Sequence, residues 1–204
     1  MFLYKKFLSI SILRNIFNYP IYLISLTLLL GLIKIDAYSP ITEGWWTAYS
    51  RWLSQGKIPY RDFNLVVPPG MPYINWFIVK IISDNFLIQR IIGLFIEITF
   101  ALFLYFIFKT LTKKKYAFLI SLLVTEIFYS TEVVITYDYN YFSILFLIIS
   151  IYLLQVEIEN KKHTKIKLCA AGMFAAVSFL VKINFVFFVM SFYFLSFLIL
   201  NFSR

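Results

Sequence analysis

The sequence predicts an all-α polytopic membrane protein of about six transmembrane helices, with a long first extracytoplasmic loop carrying amphipathic juxtamembrane helices. Three observations predict it. Of 204 residues, 61% are hydrophobic and only 14% charged, with a mean hydropathy of +0.82, too few charges to cover a water-soluble surface. Several uncharged runs approach the roughly 20 residues that cross a bilayer. Those runs are continuous rather than alternating, and lipid admits only structures that satisfy their own backbone, so the crossings are helices.

The formal net charge of +9 does not mark a nucleic-acid surface. Its bases sit in short clusters beside apolar runs: Lys5, Lys6 and Arg14, then Lys113, Lys114 and Lys115, then Lys161, Lys162, Lys165 and Lys167. The positive-inside rule produces that pattern in cytoplasmic loops. Cys169 is the sole cysteine, so no internal disulfide forms. His163 is the sole histidine, which excludes a histidine-based metal site. No metal ligand is assigned from the pattern, and a divalent metal on carboxylates is left open as a cofactor.

Residues 1–16 are basic and apolar, and an uncharged run over 17–33 follows without a small-residue cleavage pattern. That reads as a retained first span, amino terminus inside, with Lys34 snorkelling at its far end. Residues 36–88 form the first outer loop. Ser39-Pro40 is a helix start, and Gly56 a stop with Pro59 beyond it. Between them Glu43, Thr47, Ser50 and Ser54 recur at helical spacing. Trp45, Tyr49, Trp52 and Leu53 gather on another side; Trp45, Trp46, Tyr49 and Trp52 read as interfacial anchors, with Trp45, Tyr49 and Trp52 directed at acyl chains. Pro68-Pro69-Gly70 breaks the chain, and 71–82 is a second surface or re-entrant helix, too short for a span.

Further spans are expected at 90–108, 116–129, 139–154, 168–181 and 185–202, the fifth rich in Ala and Gly and suited to close packing. Glu132 and Asp138 lie in a second outer loop, and Lys182 and Asn184 close the fifth span. All three basic clusters then fall on one side and both acidic loops on the other. Glu97 and Glu126 lie within apolar spans, where an ionisable group is costly and calls for pairing or protonation. The whole of 1–204 reads as one membrane domain.

The run E-G-W-W-T-A-Y-S-R-W-L-S-Q-G-K-I-P-Y-R-D-F, then P-P-G, then Arg90, resembles the first outer loop of the GT-C glycosyltransferases. More narrowly it is similar to the bacterial branch related to protein O-mannosyltransferases and aminoarabinose transferases. Y-D-Y-N at 137–140 and A-G-M-F-A-A-V-S-F-L-V-K-I-N at 171–184 resemble the second acidic loop and a Gly-rich helix ending in lysine. The resemblance implies transfer of a sugar from a polyprenyl-phosphate carrier to an envelope glycan, lipid or protein, at the outer face of the bacterial inner (plasma) membrane. It also implies that the chain is the amino-terminal portion of a longer protein, relatives carrying more spans.

The resemblance places the acidic base of the first loop at Glu43. Thr42-Glu43 stands where relatives often carry Asp-Glu, which leaves Asp36 as a substitute and Asp138 as the acid of the second loop. A carboxylate within reach of an acceptor hydroxyl takes its proton as the new bond forms. The departing lipid phosphate needs cations, and Arg51, Arg61, Arg90 and Lys182 are on the expected side, with Asp62 beside Arg61. Each has a plainer reading: Glu43 as an acid in a first helical turn, Asp138 as a helix start, Arg61–Asp62 as a local ion pair. A non-catalytic truncated relative or assembly scaffold is the alternative function. A transporter is disfavoured, since the two halves do not match and the acids sit in loops.

The orientation is directly testable. A cysteine replacing Tyr60 should react with an impermeant thiol reagent applied outside, and one replacing Lys114 should not; the reverse pattern inverts the topology.

Overall fold

The computed structural model describes residues 19–35, 40–130, 137–160 and 165–185, with 191 and 194, and only the backbone of 40–43, 130, 160 and 185. Among these residues the regular structure is helical. The order is α1 (Tyr19–Lys34), α2 (Pro40–Ser54), α3 (Gly70–Ile81), α4 (Phe86–Leu111), α5 (Lys114–Ser130), α6 (Tyr139–Asn160) and α7 (Lys165–Val181), then one 3-10 turn, Ile183–Phe185. The first basic cluster, Asp36, Ser39, Glu132 and the run 186–202, apart from 191 and 194, lie outside the described residues.

Two helices, α4 with 26 residues and α6 with 22, are long and apolar enough to cross a bilayer. At 1.5 Å per residue they extend about 39 Å and about 33 Å, against a hydrocarbon core of about 30 Å. Each begins earlier or ends later than the apolar runs indicate. Helix α4 starts at Phe86, not Arg90, because Asn85 caps it, its side chain accepting from the Leu87 amide at 2.8 Å. Helix α6 continues through Glu157 to Asn160, six residues beyond the expected end. There Glu157, buried, takes an ion pair from Lys167 of α7 at 3.0 Å. Apolar runs mark hydrocarbon, whereas helices continue into the polar zone wherever charges find partners.

Helices α4 and α5 pack antiparallel, as do α6 and α7, while α4 and α6 run side by side in the same direction, so one end of the bundle gathers Arg90, Glu126, Asp138 and Lys182, and the other the lysines at 113–115, 165 and 167. Gln155 of α6 donates to the Ile107 carbonyl of α4 at 3.4 Å and to Thr110, which ties the basic end together. Between α6 and α7 the approach is close: the Ser143 hydroxyl donates to the Ser178 carbonyl at 2.9 Å, and Ser178 returns a bond to the Ser143 carbonyl at 2.8 Å. The small residues that permit this are Ala171, Ala175 and Ser178, all buried. Gly172 is not among them, since a Cβ there would meet nothing within 4 Å.

The loop helices α2 and α3 pack against each other over the end that carries Lys182. Gly56, at φ 78°, ends α2 in a Schellman motif: the Lys57 amide reaches the Trp52 carbonyl at 3.0 Å and the Gly56 amide reaches Leu53 at 3.0 Å. Helix α3 starts at Gly70 because no side chain fits there. A Cβ would lie 2.4 Å from the Leu180 carbonyl oxygen of α7. At Gly31 the close contact of a Cβ would be with the end of Leu94, a side chain that can rotate away, and Glu97 Oε2 lies at an ordinary 3.5 Å.

Gly70→Ala is therefore expected to destabilise by about 1–3 kcal/mol, the usual cost of overpacking against an unyielding neighbour. Gly31→Ala is expected to cost clearly less. Thermal unfolding midpoints in detergent compare the two; an equal or smaller drop for Gly70→Ala would show that α3 does not dock on α7 as described.

Candidate functional site

The sequence reading of α2 turns Glu43 toward water and Trp45, Tyr49 and Trp52 toward acyl chains, and the burial pattern differs. Thr47 and Ser50 are buried, and so are Trp46 and Tyr49, while Trp45 is exposed and Trp52 half-buried. Trp46 and Tyr49 are thus internal packing residues, not lipid anchors. The Trp46 ring meets Tyr139 of α6 edge-on at 5.4 Å, and Tyr49 stacks on Phe63 at 5.8 Å. The reason is tertiary: α3 and α6 close over this face of α2 and bury polar and aromatic side chains together.

A buried relay fixes the arrangement. Burial pushes the Tyr137 hydroxyl well above its ordinary value, so it stays protonated and donates to Asn75 Oδ1 at 2.5 Å. The Asn75 amide nitrogen then donates to Ser50 Oγ at 2.7 Å, and Ser50 donates to the Trp46 carbonyl at 2.8 Å. One hydrogen-bond chain thereby links the segment before α6, the middle of α3 and the turn of α2 three residues past Glu43.

Directly beside it lies Lys182, whose ammonium contacts the Asn140 side-chain oxygen and sits over the Tyr139 ring, 5.2 Å from its centre. Asp138 is 2% exposed and accepts from the Asn140 amide at 2.7 Å, the geometry of a helix-start cap on α6. Trp46, Tyr139, Asn140 and Lys182 thus converge, with Asp138 at the base of the group. The Trp46 indole nitrogen is buried without a hydrogen-bond partner among the described residues.

The remaining expected residues lie elsewhere. Asp62 and Arg61 bind each other through two hydrogen bonds, Nε to Oδ1 at 2.9 Å and Nη2 to Oδ2 at 2.8 Å. Asp62 also accepts from the Ile58 amide at 2.7 Å, bracing a turn in which Tyr60 takes a φ of 64°. The guanidinium bond first and the amide bond next hold the Asp62 carboxyl down at about 2. Arg90 reaches the Ile35 carbonyl at 3.0 Å, where the chain leaves α1. Arg51 is exposed in the last turn of α2. Lys34 does not snorkel: it turns inward to Glu126 and Glu97. The Glu43 side chain and all of Asp36 lie outside what is described. Among the described residues no three His, Cys, Asp or Glu side chains gather as a metal site.

With this end of the bundle in view, a family model decides the affiliation. The model for dolichyl-phosphate-mannose-protein mannosyltransferase matches residues 66–204. The chain belongs to that family. It is thus a membrane-integral glycosyltransferase relative of GT-C type, a family acting with lipid-linked sugar donors and acceptors. The match includes P-P-G, Arg90, Y-D-Y-N and the α7 run ending in Lys182, and begins after the tryptophan-rich segment of α2. Comparisons with curated proteins and with solved structures find no match.

Sequence reasoning missed Asn75, and it placed Ser50 on a helix face and Tyr137 and Asn140 in the Y-D-Y-N run without a role in the site. Asn75, an amide in the apolar stretch Tyr73–Ile82, was the available signal, since a polar group placed there needs a partner.

Asn75→Leu is expected to lower stability by about 1–3 kcal/mol, because it strands the Tyr137 hydroxyl and leaves Ser50 with one bond fewer. A double-mutant cycle with Tyr137→Phe checks it: coupling near zero would mean that the relay does not hold the two segments together.

Proposed function

We propose that this chain transfers a sugar from a polyprenyl-phosphate carrier to a cell-envelope acceptor at the extracytoplasmic face of the bacterial inner membrane, with its amino terminus in the cytoplasm. Glu43 is the general base: its carboxylate takes the proton of the acceptor hydroxyl as that oxygen attacks the anomeric carbon. The carbon–oxygen bond to the lipid phosphate breaks, and the phosphate keeps the electron pair. Lys182 receives the charge that develops on it.

The observation that carries this reading is the meeting of α2, the start of α6 and the residue that follows α7, at Trp46, Tyr139 and Lys182. Glu43 precedes Trp46 by three residues, about 4.5 Å of helix rise, so its backbone borders the same cluster. The cluster lies at an end of two helices of bilayer length, which suits a donor whose chain is in lipid and whose phosphate is at the surface. Lys182 replaces the arginines as the preferred phosphate partner, because Arg61 braces Asp62 and Arg90 secures the exit from α1. Asp138 is assigned to capping α6 beneath Tyr139, and Arg51 remains a surface cation for the approaching headgroup.

Glu43→Gln should lower transfer from a synthetic polyprenyl-phosphate sugar by about 10²- to 10⁴-fold while membrane insertion stays normal. Lys182→Met should weaken donor binding as well as turnover. Full activity of Glu43→Gln in a vesicle assay would remove it from the mechanism.

A further inference from the structure

Below the first loop, three charged side chains meet inside the bundle. Lys34, ending α1, donates to Glu126 Oε2 of α5 at 3.1 Å and lies 3.8 Å from Glu97 Oε1 of α4. Glu97 is fully buried, and neither of its oxygens has a hydrogen-bond partner among the described residues; the same holds for Glu126 Oε1. From α5, Tyr129 is within electrostatic reach of Glu97, and Tyr141 of α6 stacks on Tyr129 at 4.2 Å. On the α1 side, the site of a Cβ on Gly31 is 3.5 Å from Glu97 Oε2.

Two carboxylates against one ammonium would leave a net negative charge in a low-dielectric interior. A buried group in that position takes up a proton instead of remaining charged. Glu126 is partly exposed and accepts a hydrogen bond from Lys34, whereas Glu97 is fully buried and accepts none. We propose that Lys34, Glu97 and Glu126 form a neutral proton-binding site, with one proton held on Glu97, that ties α1, α4 and α5 together beneath the first loop. Because α1 leads straight to that loop through Ile35, which Arg90 holds by its carbonyl, the site also sets where the loop begins.

The test is infrared spectroscopy of the full chain in vesicles of ether-linked lipids, which carry no ester carbonyl, at neutral pH, reading the carbonyl band of a protonated carboxylic acid. The wild type should show it, and Glu97→Gln should remove it without lowering the thermal midpoint, since a glutamine amide has the shape of the protonated acid. Glu126→Gln should also remove it, because Glu97 then ionises against Lys34, and Lys34→Met should roughly double it. No band in the wild type, or a band that survives either glutamine variant, overturns the proposal. The readout involves no sugar transfer, so it succeeds or fails independently of the catalytic reading.

Discussion

The buried amide of Asn75 accepts from a phenol on one side and donates to a serine hydroxyl on the other, and those groups come from segments 62 and 25 residues away. A side-chain amide removed from water has few arrangements that satisfy both its ends, and leaving either end unpaired costs about as much as a lost hydrogen bond. That requirement gives the loop helices a definite seat. Apolar contacts alone would allow α2 and α3 to slide over the bundle, whereas this chain admits one register. The aromatic packing of Trp46 on Tyr139 and of Tyr49 on Phe63 follows from it.

The seat has a chemical consequence. It brings the first loop, read as the source of the base, against the start of α6 and the end of α7, where Lys182 emerges beside Tyr139 and Asn140. Gly70 makes the approach feasible from the other side, allowing α3 to start against the α7 backbone. The ion pair of Arg61 with Asp62 braces the turn between α2 and α3, and the bond from Arg90 to the Ile35 carbonyl joins the two ends of the same loop. Charges that look interchangeable in a list of outer-loop residues thus divide into those that hold the loop and one that faces its centre.

Elsewhere in the bundle polar side chains also pair across helices. Lys34 answers Glu126 and Glu97, Lys167 answers Glu157, and Ser143 and Ser178 exchange bonds across α6 and α7. In sequence these residues look like interruptions in apolar runs. Each is a place where two helices are fastened, and the fastening explains why α6 continues six residues beyond its hydrocarbon run.

The sequence by itself determined the helical class, the apolar runs behind α4 and α6, the two short loop helices and the Gly56 stop, because hydropathy, breakers and caps act over a few neighbouring residues. It also carried the family resemblance, which the match over 66–204 bears out. Only the tertiary structure decided which face of α2 is buried, that Trp46 and Tyr49 point inward, that Lys34 pairs instead of snorkelling, and which loop cation stands beside Tyr139. Those outcomes depend on partners from other helices, tens of residues away. An amphipathic pattern states that a helix has two faces, but whether lipid, water or protein covers each one is settled by what packs against it.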